Sequence, residues 1–249
     1  AITALSAALF FGQTAAAEEK AAEEVKPSHV EMVLVLDESG SMSNLTNDTI
    51  GGFNSMIEKE KKLDVDAHVT TVLFNDQYKM LYNRRELKDV SKMTDKDYTP
   101  GGMTALLDAV GRTIHKMDMV AGIHRKDKGN KVLFVIITDG EENDSKEYTY
   151  ADVKKLIKDR QENAGWEFIF LGANIDAAAA AENLGIDRDR AVKYKNTGSG
   201  VRANFKAVAE LSDSLAKSGR VSDEWKETVE KDEDDAADKQ SAAVTLHRR

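Results

Sequence analysis

The 249-residue chain contains no cysteine. Disulfides, thiolate zinc sites, iron–sulfur clusters and cysteine nucleophiles are therefore excluded, and hydroxyl and carboxylate chemistry remains. Positive charge is not in excess either: 35 Lys and Arg against 44 Asp and Glu give a formal net charge of −9. That sign argues against a generic binder of nucleic acid or anionic membrane. No apolar run approaches the roughly 20 residues needed by a membrane-spanning helix. The five histidines, His29, His68, His115, His124 and His247, show no paired spacing such as His-x3-His, and read as surface or core imidazoles. A Gly-Lys-Ser/Thr phosphate loop and a Gly-x-Ser-x-Gly elbow are missing too, which removes two common hydrolase signatures.

What is present is ample for one core. Hydrophobic residues make up 41% and charged residues 32%, a balance that excludes a collagen-like or wholly disordered chain. The length fits one α/β domain of about 200 residues with appendages.

From residue 28 onward, apolar runs of strand length alternate with amphipathic helical stretches. Val30–Leu36, His68–Phe74, Lys131–Thr138, Trp166–Leu171 and Ala191–Tyr194 read as strands, with Gln77–Tyr82 as a short antiparallel edge. Residues 84–98 read as a loop with at most one helical turn. Met103, Leu107, Val110, Ile114 and Met117 recur at helical spacing, as do Ile50, Phe53, Met56 and Ile57. Val153, Leu156 and Ile157, Ala177–Leu184, and Val201 through Leu215 supply three more helices. The expected architecture is a doubly wound, mostly parallel six-stranded sheet flanked by helices, with right-handed crossovers.

Both ends differ in character. Ala1–Phe11 is an apolar run followed by the small residues of 12–17 and then Glu18-Glu19-Lys20. This is the order of a secretory h-region and its cleavage site, so export to a periplasmic or extracellular space is expected. The alternative is an Ala-rich helix that docks on a partner or on the domain itself, or packs into an assembly. Residues 18–27 read as a spacer. At the other end, residues 222–238 hold nine acids against Lys226 and Lys231, and 220–249 reads as a solvated acidic tail. Trp225 and Val229, four apart, offer an alternative docking face on a short helix. The expected division is thus 1–27, 28–219 and 220–249.

Ligands of open parallel sheets sit beyond the carboxyl ends of the strands. Asp37, Asp139 and the Thr99-Pro100-Gly101-Gly102 loop all fall there. Asp37, Ser39 and Ser41 alternate along the turn after the first strand and can face one point. Carboxylates and hydroxyls are hard oxygen donors, which favour Mg2+ or Mn2+ over zinc or copper. Glu38, Met42, Gly102 and Met103 flank the point and are expected to form a rim. Glu141, Glu142 and Asp144 are assigned no ligand role.

The three segments, Asp37-Glu38-Ser39-Gly40-Ser41, Thr104 and Asp139-Gly140, resemble the von Willebrand factor type A (vWA) family over residues 28–219. Its metal-ion-dependent adhesion site reads Asp-x-Ser-x-Ser, then Thr, then Asp. The chain looks like the compact, stand-alone bacterial or phage type. The resemblance implies a Mg2+ (or Mn2+) at the upper edge of the sheet that binds an Asp or Glu presented by a protein partner. It also implies that Ser39 and Ser41 ligate directly, Thr104 directly in the ligand-bound arrangement, and Asp37 and Asp139 directly or through water. The function expected is adhesion or assembly without catalysis, with no nucleic-acid partner. A structural subunit of a surface or virion assembly is an alternative, and a Mg2+-dependent hydrolase a weaker one. Ser39 stands where a dehalogenase-like phosphatase would need a second Asp as general acid.

Overall fold

Along β1 (His29–Asp37), Val30, Met32, Leu34 and Leu36 turn into one apolar cluster, while Val33 and Val35 turn into another. Successive side chains of a strand point to opposite faces, so a run that is apolar at both parities must be covered on both sides. The computed structural model, which describes residues 29–119 and 130–231, shows that cover. α1 (Thr46–Lys62) and α5 (Gly198–Ser218) close the first face with Phe53, Met56, Phe205 and Leu211. α2 (Leu106–Asp118), α3 (Tyr150–Asp159) and α4 (Ala177–Leu184) close the second with Val110, Ile114, Val153 and Leu184.

The remaining strands are β2 (Ala67–Phe74), β3 (Tyr78–Glu86), β4 (Asn130–Thr138), β5 (Glu167–Gly172) and β6 (Ala191–Lys193). They form a single six-stranded sheet in the order β3-β2-β1-β4-β5-β6. Every pairing is parallel except β2 with β3. The expected mostly parallel α/β sheet is therefore present. Chain order reverses between β1 and β4, which makes their carboxyl ends the switch point of the fold.

Three local expectations need correction. The edge strand β3 runs on to Glu86, through residues read as a loop. Its charged Asn83-Arg84-Arg85-Glu86 segment is compatible with an edge that faces water, and a register irregularity accommodates Arg84 at φ 46°. Met103 does not lie on α2, which begins only at Leu106; its side chain is 51% exposed. The acidic segment is not solvated from residue 220. Residues 225–231 are helical, and Trp225 and Val229 are buried in the α1–α5 cluster. The pair spaced for docking thus docks on the domain itself.

No helix of the described residues is long and apolar enough to cross a membrane. The apolar run 1–11, the spacer to 27 and the acids beyond Lys231 lie outside the described residues.

Candidate functional site

Asp37 is the last residue of β1, and its carboxylate is gripped from the turn that follows and from β4. The Ser39 backbone N–H donates to Oδ1 at 2.7 Å and the Thr138 hydroxyl, at the end of β4, donates to Oδ2 at 2.6 Å. Its carbonyl accepts from the buried Tyr98 hydroxyl at 2.6 Å. Burial is the largest influence on Asp37 and raises its pKa, as does the nearby Asp139, while the bonds from Ser39 and Thr138 oppose the shift. A cation would oppose it too, since opposite charge favours the ionised carboxylate.

The turn that follows carries two hydroxyls inward. Ser39 Oγ and Ser41 Oγ are 3.0 Å apart, and Ser41 Oγ donates to Asp139 Oδ1 at 2.5 Å. Asp139 is held in turn by Asn196, whose Nδ2 donates to Oδ2 at 3.1 Å, and by Asn174, which donates to its carbonyl at 3.3 Å. Both asparagines lie beyond strand ends on the β5–β6 side of the sheet.

Thr104 approaches from the opposite direction. Asn143 clamps its backbone, accepting from the Thr104 N–H at 2.8 Å and donating from its own N–H to the Thr104 carbonyl at 3.0 Å. A Cβ placed on Gly140 would stand 3.7 Å from Thr104 Oγ1 and 4.0 Å from Ser41 Oγ, so these hydroxyls flank the same space beside Asp139. The 99–105 loop is tied to the β1 turn by bonds from Gly101 N to the Glu38 carbonyl (2.9 Å) and from Gly40 N to the Gly102 carbonyl (3.2 Å). Gly102 has φ +75°, and any Cβ there would overlap Asp76 Oδ1. Only glycine takes that conformation without strain.

The five residues singled out in sequence, Asp37, Ser39, Ser41, Thr104 and Asp139, thus border one point at the switch of the sheet. The rim is different from the one expected. Gly102 and Met103 are exposed, whereas Glu38 and Met42 are buried. Glu38 Oε1 accepts from the Thr99 backbone N–H at 2.5 Å, so the carboxylate holds the 99–102 loop instead of facing a partner. Met42 packs in the α1–α5 cluster. Thr138, Tyr98, Asn143, Asn174 and Asn196 were not identifiable from sequence, because common residue types far apart in the chain carry no local spacing signal.

Two carboxylates and three hydroxyls form a donor set of hard oxygens, which suits a small divalent cation that retains water or takes an external oxygen ligand. Ser39, Ser41 and Asp139 are already joined through their side chains, the Ser39 N–H holds Asp37, and Thr104 Oγ1 flanks the same space, so the residues fit the group that the sequence implies.

A family model for the vWA domain found in the TerF C terminus matches residues 29–190. The chain belongs to this TerF-like vWA family. Solved structures agree at the level of fold. The vWF domain of the type V pili tip protein Mfa5 from Porphyromonas gingivalis is 12% identical, with a TM-score of 0.54 over 79% of this chain and 99% of that one. The PilB minor pilin from Streptococcus sanguinis is 12% identical, with a TM-score of 0.54 over 74% of this chain and 61% of that one. Proximal thread matrix protein 1 from the mussel byssus, with a zinc-occupied MIDAS motif, is 14% identical, with a TM-score of 0.51 over 74% and 46%. This vWA chain therefore spans less than two thirds of the pilin and about half of the byssus protein. No curated protein sequence matches it.

Proposed function

We propose that this vWA domain is a divalent-cation-dependent protein-binding module that recognises an Asp or Glu of its partner. The observation that carries the reading is the convergence of Asp37, Ser39, Ser41, Thr104 and Asp139 at the switch point of the sheet. A bound Mg2+ or Mn2+ supplies a Lewis-acidic docking point for a carboxylate. Asp37 and Asp139 provide the compensating charge, and Thr138 and Asn196 keep those carboxylates oriented, as outer partners of metal ligands commonly do. Met103 and the Gly101-Gly102 loop offer exposed contact area beside the point.

Binding without turnover is supported by the partners of the two serines. The Ser39 and Ser41 hydroxyls bond each other, and Ser41 bonds Asp139, with no imidazole or amine among their hydrogen-bond partners in the described residues to act as base. Two of the similar structures are a minor pilin and a pili tip domain, which supports a role in surface assembly for this chain as a second reading. Export, with cleavage near Ala17, belongs to the same proposal and rests on the sequence pattern of residues 1–17; intact mass of the native protein tests it.

The decisive experiment uses Mn2+ as probe. Water-proton relaxation should report a bound Mn2+ that keeps exchangeable water, and acetate or a short Glu-containing peptide should displace part of it. Thr104→Ala should weaken the carboxylate effect more than Mn2+ binding itself. A bound Mn2+ that is indifferent to carboxylates would overturn the recognition of acidic residues.

A further inference from the structure

At the opposite end of the sheet, three candidate ligand atoms meet. His29 and Glu31 are two apart on β1 and share one face, and Glu31 is the direct register partner of His68 on β2. His29 Nε2 lies 2.8 Å from His68 Nδ1 and 3.3 Å from Glu31 Oε1, and His68 Nδ1 lies 3.3 Å from the same oxygen. In a tetrahedral zinc site with ligand bonds of about 2.0–2.1 Å, neighbouring ligand atoms stand about 3.3–3.4 Å apart. Two of the three separations already have that value, and the third needs to open by about half an ångström.

The surroundings are those of a metal site as well. His29 Nδ1 is 3.0 Å from Asp66 Oδ1. That carboxylate is placed to accept from Nδ1–H, which would leave the Nε2 lone pair for an ion between Glu31 and His68, the carboxylate–histidine–metal arrangement that fixes a ligand's tautomer. Glu31 is 2% exposed, and its second oxygen, Oε2, accepts from Arg84 Nε at 3.0 Å, which would orient a ligating carboxylate. His29 and His68 remain 18% and 26% exposed, so an ion and a fourth ligand have access. Arg84 Nη2 also reaches Oε1 and stands 3.3 Å from His68 Nδ1. It is the rival occupant, and its side chain, 31% exposed, has solvent into which a bound cation would displace it.

We infer that His29, Glu31 and His68 form a second metal site of Zn2+ type, with imidazole nitrogens that prefer zinc to magnesium, spanning β1 and β2 at the end of the sheet remote from Asp37. The site has three protein ligands and one open position. It does not depend on the function proposed for the upper site.

The test uses the full chain without a polyhistidine tag, titrated with Co2+ and Zn2+ in excess Mg2+. Four-coordinate Co2+ with imidazole ligands absorbs strongly in the visible, whereas a six-coordinate oxygen site absorbs weakly. One equivalent should give the strong band, and Zn2+ should abolish it. Ser39→Ala/Ser41→Ala should keep the band. His68→Ala should weaken binding at least tenfold with an unchanged far-UV circular dichroism spectrum, and His29→Asn serves if that variant does not fold. No strong band in the wild type, or a band that survives both histidine substitutions, would overturn the assignment and leave Glu31 as the ion-pair and hydrogen-bond partner of Arg84 and the two histidines. Loss of the band only in the serine variant would overturn it by moving the metal to the upper site.

Discussion

Thr138 Oγ1 stands 2.6 Å from Asp37 Oδ2, joining the carboxyl ends of the two central strands through their side chains. Both residues are buried, and Thr138 has no exposed surface. Thr138→Val keeps the shape and β-branching but leaves Oδ2 of a buried carboxylate without this donor. A buried acceptor stripped of its partner costs about 1–3 kcal/mol. Urea unfolding in chelator should show a loss of that size with an unchanged m-value. A stability equal to wild type would mean that water replaces the hydroxyl at no cost.

Divalent cations should stabilise the fold if the upper site binds them. Binding to the native state alone adds about 2.7 kcal/mol when the metal is at 100 times its dissociation constant. For a domain of this size that is roughly 5–11 °C in melting temperature. Ser39→Ala/Ser41→Ala should lose most of the Mg2+ shift. An equal shift in wild type and the double variant would place the stabilising ion elsewhere.

These experiments bear on unequal parts of what the sequence reveals. The β/α alternation is legible because parallel strands covered on both faces, such as Val30–Leu36 and Lys131–Thr138, must be apolar at both parities. Asp37, Ser39 and Ser41 stand out because they share one turn. Thr138 and Asn196 do not, since their relation to Asp37 and Asp139 is created by strand pairing and by the β6 end. Glu38 misleads for a related reason: an acid in a polar turn reads as exposed until the loop of Thr99 folds over it. The histidines show the same limit. A search for i, i+4 pairs assumes one helix, whereas His29 and His68 are 39 positions apart and meet through parallel register.

Trp225 tests where the domain ends. Its side chain is buried among the residues under α1 and α5, although it lies in an acidic stretch. Trp225→Ala should cost about 3–5 kcal/mol, the range for emptying a large aromatic site. Truncation after Gly219 should cost at least as much, because Val229 leaves with it. Thermal unfolding of both variants reads this directly. A truncated chain as stable as the full one would show that residues 220–231 contribute nothing to the core.

Glu60 gives the fold a pH dependence of its own. It lies on α1 with no exposed surface; Ser212 Oγ on α5 donates to Oε2 at 2.8 Å, and Oε1 has no hydrogen-bond partner among the described residues. Burial is the largest influence and pushes its pKa up to about 7 from 4.5; the Ser212 hydroxyl opposes the shift and Asp213 adds to it. Between those two values the folded protein keeps a proton that the unfolded chain has released. Stability therefore falls as pH rises from about 4.5 to about 7, and the contribution of this group is level outside that window. The total is about 3 kcal/mol, at about 1.4 kcal/mol per pKa unit, or roughly 6–12 °C in melting temperature for a domain of this size. Glu60→Gln removes the ionisation while keeping an oxygen for Ser212. The variant should melt no higher than wild type at pH 4.5 and several degrees higher at pH 8, measured in chelator so that metal binding does not add its own pH dependence. A difference between the two proteins that stays constant from pH 4.5 to 8 would mean that Glu60 ionises equally readily in the folded and unfolded chain.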